Sequence, residues 1–245
     1  MVTEVLSTIE RRARLLAALA DPARLAVVDA LVLGDTSPGE LRSALGLGSN
    51  LLAHHLGVLE REGIVARHRS QADRRRSYLR LVPGALDGLL PGHEGDTSRT
   101  ATGSSVTRVV FVCTANSARS VLAASLWSRA SSVPATAGGT HPATAVAPGA
   151  AAAAKRHHLP LTQTTPRQLP ELTSEDFVVT VCDNAYEDLA HTDALDAPAH
   201  RLHWSVPDPV PVGTKQAFED AFADLEGRVI TLARHLTRAT HAEPA

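Results

Sequence analysis

Two apolar rhythms follow one another along the chain. Between Ser7 and Gly63, leucines and valines recur every three or four residues, at Leu15, Leu16 and Leu19, then at Leu25, Val28, Leu31 and Val32. That spacing places them on one face of successive α-helices. Asp21-Pro22 supplies a capping side chain followed by proline at the first helical position. Ser37-Pro-Gly-Glu40 reads as a capping box opening a short helix through Leu45, with Gly46-Leu-Gly48 as its turn. A further helix over about Ser49–Glu62 buries Leu52, Leu56 and Leu59 and stops at Gly63. Two short strands, around Val65–Arg69 and Ser77–Leu81, flank a polar turn.

After Arg108 the rhythm changes. Val109-Val110-Phe111-Val112 is an unbroken apolar run, Phe177–Val181 is a second, and helical patterns alternate with them. Continuous runs belong to strands covered on both faces, so this half predicts an α/β three-layer domain with a parallel sheet. Its alanine run, Ala150–Ala154, reads as filler inside a helix. Pro83 to Thr107 is rich in Gly, Ser and Thr and almost free of large apolar residues after Leu90, the composition of a flexible linker. The expected organisation is two domains: a mainly α helix-turn-helix with a hairpin wing over 1–82, a linker over 83–107, and the α/β domain over 108–245.

Charge sharpens the division. The net charge of −2 hides a first part, residues 1–80, with twelve arginines against nine acids. Six arginines fall between Arg67 and Arg80 against the single acid Asp73. A cluster of that kind is a solvated hairpin or a surface for a polyanion. Cys113 and Cys182 are the only cysteines, which excludes a disulfide framework. The start lacks a basic, apolar leader and no run reaches spanning length, so a cytoplasmic protein with reduced thiols and no membrane association is expected.

The chemistry concentrates in Cys113-Thr114-Ala115-Asn116-Ser117-Ala118-Arg119-Ser120, which leaves the apolar run at its end and enters a helix. A loop of that length can turn its N–H groups onto one point with a helix N-terminus behind them, forming an oxyanion cradle with the cysteine at its floor. Amide dipoles and Arg119 would hold that cysteine as thiolate. Attack on a tetrahedral oxyanion needs a nucleophilic sulfur, a cation for the equatorial oxygens and an acid for the leaving oxygen. Cys113, bidentate Arg119 and Asp208, flanked by Pro207 and Pro209, supply them. Asn116 and Ser120 would brace the loop.

This combination resembles the low-molecular-weight tyrosine phosphatase fold over 108–238, especially its arsenate reductase branch. Family members usually carry glycine at the position of Ala115, so a positive φ there would be strained. They also usually carry an aromatic residue after the Asp-Pro pair, where this chain has Val210, and the loop Ala137–Thr144 offers none. A small inorganic ion needs no aromatic wall, so the resemblance favours arsenate over phosphotyrosine. Cys182 matches the first resolving cysteine of thioredoxin-coupled arsenate reductases, while Leu189 stands where the second would be. The expected reductant is an external thiol, thioredoxin, mycothiol or a similar small thiol, with no bound cofactor or metal. Two alternatives stay open: a tyrosine phosphatase with a DNA-binding appendage, and a repressor whose cradle senses an oxyanion without turnover.

The first half resembles the ArsR family of repressors through Asp21-Pro-Ala-Arg24-Leu, Leu51-Leu-Ala-His54-His55-Leu56 and the arginine-rich wing. The resemblance implies a homodimer on a palindromic double-stranded operator, joined through its first and last helices, the last at about Ala85–Leu90. The second helix of the turn motif would present Ser49, Asn50, Ala53 and His54 to base edges, with Asn50 the best adenine reader. Arg67, Arg69, Arg74, Arg75 and Arg76 would contact phosphates or the minor groove. Adjacent histidines point about 100° apart on a helix, so His54 and His55 cannot share a metal; one packs and one faces DNA. The arsenite-sensing cysteine pair of that family is missing from Glu40–Leu45.

Overall fold

In the computed structural model, residues 2–87, 89, 106–192, 195, 198 and 200–240 are described. The chain divides into two compact units, Met1–Ser70 with Arg74–Ser98 and Gln71–Asp73 with Arg99–Ala245. Most of the expected linker, and the end of the last helix expected beside it, lie outside the described residues.

Four helices and a hairpin build the first unit: α1 (Val2–Leu19), α2 (Pro22–Leu31), α3 (Pro38–Leu45), α4 (Ser49–Arg61), β1 (Val65–Arg69) and β2 (Ser77–Leu81). The Asp21 carboxylate accepts the N–H groups of Ala23 and Arg24 and so caps α2. Ser37 and Glu40 exchange the two hydrogen bonds of a capping box on α3, and Gly46 ends that helix at φ 63. β1 and β2 pair antiparallel, from Val65 opposite Leu81 to Arg69 opposite Ser77. Leu15, Val28, Leu31, Leu41, Leu52, Leu56, Leu59 and Leu79 close the core. Leu16 and Leu25 depart from the expected inner face and stand 44% and 45% exposed. Leu16 lies seven residues from Ile9, itself 51% exposed, so α1 carries a second apolar stripe on its outer side. Residues 83–87 form turns, in place of the start of a last helix.

The second unit is built on a four-stranded parallel sheet in the order β4-β3-β5-β6, from β3 (Arg108–Cys113), β4 (Ala135–Gly139), β5 (Asp176–Thr180) and β6 (His200–His203). Around it stand α5 (Arg119–Ala130), α6 (Pro148–Arg156), α7 (Asp183–Ala190), α8 (Pro209–Val212) and α9 (Lys215–Thr240). β3 is buried on both faces, which is why its sequence shows no alternation. Phe111 sits between Trp127 and Trp204, with ring centroids 6.1 and 5.9 Å away. The alanine run of α6 is a packing face: Ala150, Ala153 and Ala154 are buried, and a Cβ on neighbouring Gly149 would lie 2.1 Å from the Phe218 ring of α9. Small residues there let two helices approach closely.

This order contains a reversal. The chain leaves β3 towards β4 on one side and leaves β5 towards β6 on the other, so a crevice opens beyond the carboxyl ends of β3 and β5. Cys113 closes β3, and Cys182 lies two residues past β5, where Val181 N–H donates to Val112 C=O at 2.7 Å. Sheet topology therefore gathers the two cysteines at one edge. Among the described residues no helix is long and apolar enough to cross a membrane.

At the opposite, amino-terminal end of these strands, Arg108 grips Asp176 with two parallel hydrogen bonds of 2.8 and 2.7 Å. Burial alone would push the Asp176 carboxyl up, but Arg108 and the Thr173 N–H together hold it below the usual carboxylate range. A carboxyl depressed on folding stabilises the protein fully above its unfolded value, and the contribution is lost as pH falls below about 4. Chemical denaturation between pH 6 and pH 3 is expected to show wild-type stability falling more steeply than that of Asp176→Asn.

Candidate active site and nucleic-acid interface

The segment after β3 is shaped by its carbonyl groups. Those of Cys113, Thr114, Ala115 and Ser117 accept the N–H groups of Thr140, His141, Ala143 and Ala147, at 3.2, 2.9, 2.8 and 2.8 Å. In a trans peptide the N–H points opposite the C=O, so lacing the carbonyls outward turns the following amides inward. The Asn116 N–H, one of these, reaches the Cys113 sulfur at 3.2 Å. Gly139 makes the lacing possible, because a Cβ there would stand 2.6 Å from the Thr114 carbonyl oxygen. The left-handed residue of the turn is Asn116, at φ 48, so the strain expected at Ala115 does not arise. Asparagine tolerates that conformation far better than alanine.

Asn116 also sets the polarity of a relay. Its Oδ1 accepts the Arg167 backbone N–H at 2.8 Å, which leaves no ambiguity about which end of the amide is which. Gln163 Nε2 donates to the same oxygen. Asn116 Nδ2 therefore faces Ser120 Oγ and donates to it at 2.8 Å, and the Ser120 hydroxyl is left to donate to the Cys113 sulfur at 3.0 Å. Two donors from one loop thus end on one sulfur atom, the arrangement a sulfur anion uses. Gln163, 5% exposed and outside any periodic element, escaped sequence reasoning; a lone glutamine in a proline-flanked loop carries no pattern.

Arg119 opens α5 and is buried. Its Nη1 donates to the Val206 carbonyl at 2.9 Å and its Nη2 to Asp208 Oδ2 at 2.7 Å. The other Asp208 oxygen accepts the Val210 N–H and caps α8. Asp208 therefore stands beside the cation of the cradle, about one-third exposed. Trp204, upstream of that acid, is fully buried in the core. Val210 and Val212 line the exposed side, 41% and 61% accessible, with no aromatic ring between them. Cys182 is buried at the N-cap of α7, where Sγ accepts the Ala185 N–H, and it lies 3.5 Å from Thr114 Oγ1. Burial pushes its thiol above the ordinary cysteine value; Arg119 opposes that push and the neighbouring Cys113 adds to it.

In the first unit, α4 carries Ser49, Asn50, Ala53 and His54 on its exposed side, while His55 is buried with Nδ1 3.7 Å from Asp21 Oδ1. Arg67, Arg69, Arg74, Arg75 and Arg76 are exposed on the wing and, with His68 and Ser77, line a hollow of about 690 Å³. Arg67 is also paired with Glu60 of α4 at 2.9 Å, which fixes the hairpin to that helix. Among the described residues no group of three or more histidines, cysteines and acids could hold a metal ion.

The model of the family described as low molecular weight phosphotyrosine protein phosphatase matches residues 108–242, more than half of the chain. The chain belongs to that family. Its second unit is similar to YwlE from Bacillus subtilis, at 21% identity over 54% of this chain and 99% of that one, with TM-score 0.46. It is also similar to an arsenate reductase from Archaeoglobus fulgidus, at 26% identity over 51% of this chain and 98% of that one, with TM-score 0.42. A stretch of 58 residues is 45% identical to the biofilm growth-associated repressor of Xylella fastidiosa, covering 24% of this chain. The chain spans about half the length of the curated relatives it matches. A helix-turn-helix regulator-like part and a phosphatase-family part are thus fused in one polypeptide.

Replacing Gln163 with leucine removes one of the two donors that fix Asn116. Alkylation of Cys113 by iodoacetate is expected to slow several-fold, with a stability loss of about 1 kcal/mol in thermal unfolding; an unchanged alkylation rate would detach Gln163 from the relay.

Proposed function

We propose that the chain is a DNA-binding transcriptional regulator fused to a thiol-dependent arsenate reductase. The observation that carries this reading is the second thiol at the cradle: phosphoester hydrolysis needs Cys113, Arg119 and Asp208, whereas reduction needs another sulfur within reach. Arsenate would bind the inward amides and Arg119. Cys113 would attack arsenic as thiolate, and Asp208 would protonate the departing oxygen as water. Cys182 would then attack the Cys113 sulfur. One S–S bond forms, the S–As bond breaks, and its electron pair stays on arsenic, leaving arsenite and a disulfide. Thioredoxin, mycothiol or a comparable thiol would restore both cysteines, which suits a reducing, cytoplasmic compartment. Because burial raises the Cys182 thiol, its proton must leave during the second step, and the Thr114 hydroxyl, 3.5 Å from the sulfur, can accept a hydrogen bond from it.

A second reading, tyrosine phosphatase with a DNA-binding part, draws on the family's own description. Against it stand Val210 and Val212, where an aryl ring would need a wall. Cys182→Ser should abolish thioredoxin-linked arsenite production and spare turnover with a small thiol, while Cys113→Ser abolishes both. Equal rates with the two reductants in Cys182→Ser would remove Cys182 from the mechanism.

For the first unit, the exposed face of α4 and the arginine wing support major-groove reading flanked by phosphate contacts, and the Ile9–Leu16 stripe of α1 supports homodimer formation. Binding isotherms over a salt series separate the two roles. Arg76→Ala should weaken all sequences alike and reduce the salt slope by about one. Asn50→Ala should leave the slope unchanged and relax preference at one base pair by about 1–3 kcal/mol.

A further inference from the structure

Behind the acid loop lies a buried polar node to which neither Cys113 nor Arg119 contributes. His203, the last residue of β6, is 4% exposed, and Asp183, the first of α7, is 3% exposed. His203 Nε2 meets Asp183 Oδ1 at 3.2 Å, and His203 Nδ1 meets Thr180 Oγ1, at the end of β5, at 3.0 Å. The Tyr186 ring stacks on the imidazole, with centroids 4.2 Å apart and planes 13° from parallel. Ser205 also hydrogen-bonds the Asp183 carboxylate. Burial would push that carboxyl up, yet His203 and Ser205 hold it below its usual range, so the node is well matched.

Its place in the chain gives the node significance. Asp183 directly follows Cys182. Ser205 directly precedes Val206, whose carbonyl receives Arg119 Nη1, and Asp208 follows three residues later. Trp204 N–H donates to the Thr180 carbonyl at 2.8 Å, so the same strand end anchors the loop by its backbone. The front of the loop holds Arg119; the back is held by Asp183 and His203. A buried pair whose members each hold a further hydrogen-bond partner, Thr180 for His203 and Ser205 for Asp183, defines position more strictly than apolar packing does, because a shift of either leaves a polar group unsatisfied.

We propose that Asp183 and His203 are a positioning pair for the reaction at Cys113, holding the Val206–Asp208 loop where Asp208 can deliver its proton to the leaving oxygen. The pair touches no substrate; it acts through Ser205 and the loop. The proposal rests on Asp208 as the acid, and it holds for phosphate esters as for arsenate, since both lose an oxygen from a tetrahedral centre.

Two aryl phosphates read it: phenyl phosphate, whose leaving group needs a proton, and 2,4-dinitrophenyl phosphate, whose leaving group does not. In the full chain, His203→Leu should lower kcat/KM for phenyl phosphate by about ten- to a hundredfold and that for the dinitrophenyl ester by less than about threefold. His203→Gln, which retains a donor towards Asp183, should recover most of the loss. Asp208→Asn should show the same selectivity. Equal losses on both esters in His203→Leu, or no loss on phenyl phosphate, beside a selective Asp208→Asn, would overturn the positioning pair alone. An unselective Asp208→Asn would overturn the acid assignment beneath it. Should His203→Leu fail to fold, Asp183→Asn, which keeps the shape and removes the charge, decides by the same two esters.

Discussion

The lacing of the Cys113–Ser117 carbonyls by the N–H groups of residues 140–147 is the constraint on which the second unit's chemistry depends. Left unlaced, those carbonyls could rotate inward and oppose any anion. Held outward, they oblige the amides to converge, and Asn116 completes the turn in the left-handed region. The sheet order then places the second cysteine beside this loop, because the same reversal of winding that opens the crevice puts the ends of β3 and β5 on either side of it. Chain topology and peptide geometry together produce a site that no single residue would make.

Local signals were legible and distant ones were not. The capping box at Ser37, the Asp21 cap and the bounds of β1 and β2 could be read because each depends on residues within a turn of one another. Cys113, Arg119 and Ser120 belong to one eight-residue segment and were visible for the same reason. Gln163 and Asn116 are 47 residues apart, and His203 and Asp183 are 20 apart, with no periodicity to join them. Ala115 drew attention through its departure from a glycine habit, yet the backbone placed its positive φ one residue later. The alanines of α6 looked inert in sequence because smallness acquires meaning only against Phe218.

The two units offer an anion opposite kinds of surface. On the wing, cations are exposed and numerous, which would suit a long ligand of uniform charge. Around Cys113 the donors are buried and held by hydrogen bonds of their own: the Asn116 N–H and the Ser120 hydroxyl on the sulfur, with Arg119 tied to Val206 and Asp208. Such a set would select by shape as much as by charge, because an ion of the wrong size cannot satisfy groups held in place.

Both tryptophans of the chain, Trp127 and Trp204, flank Phe111 in the core of the second unit, and the first unit has none. Intrinsic indole emission is therefore a private optical channel of the cysteine-bearing half. Emission excited at the red edge of protein absorption will follow the fate of that half while the helix-turn-helix half stays dark.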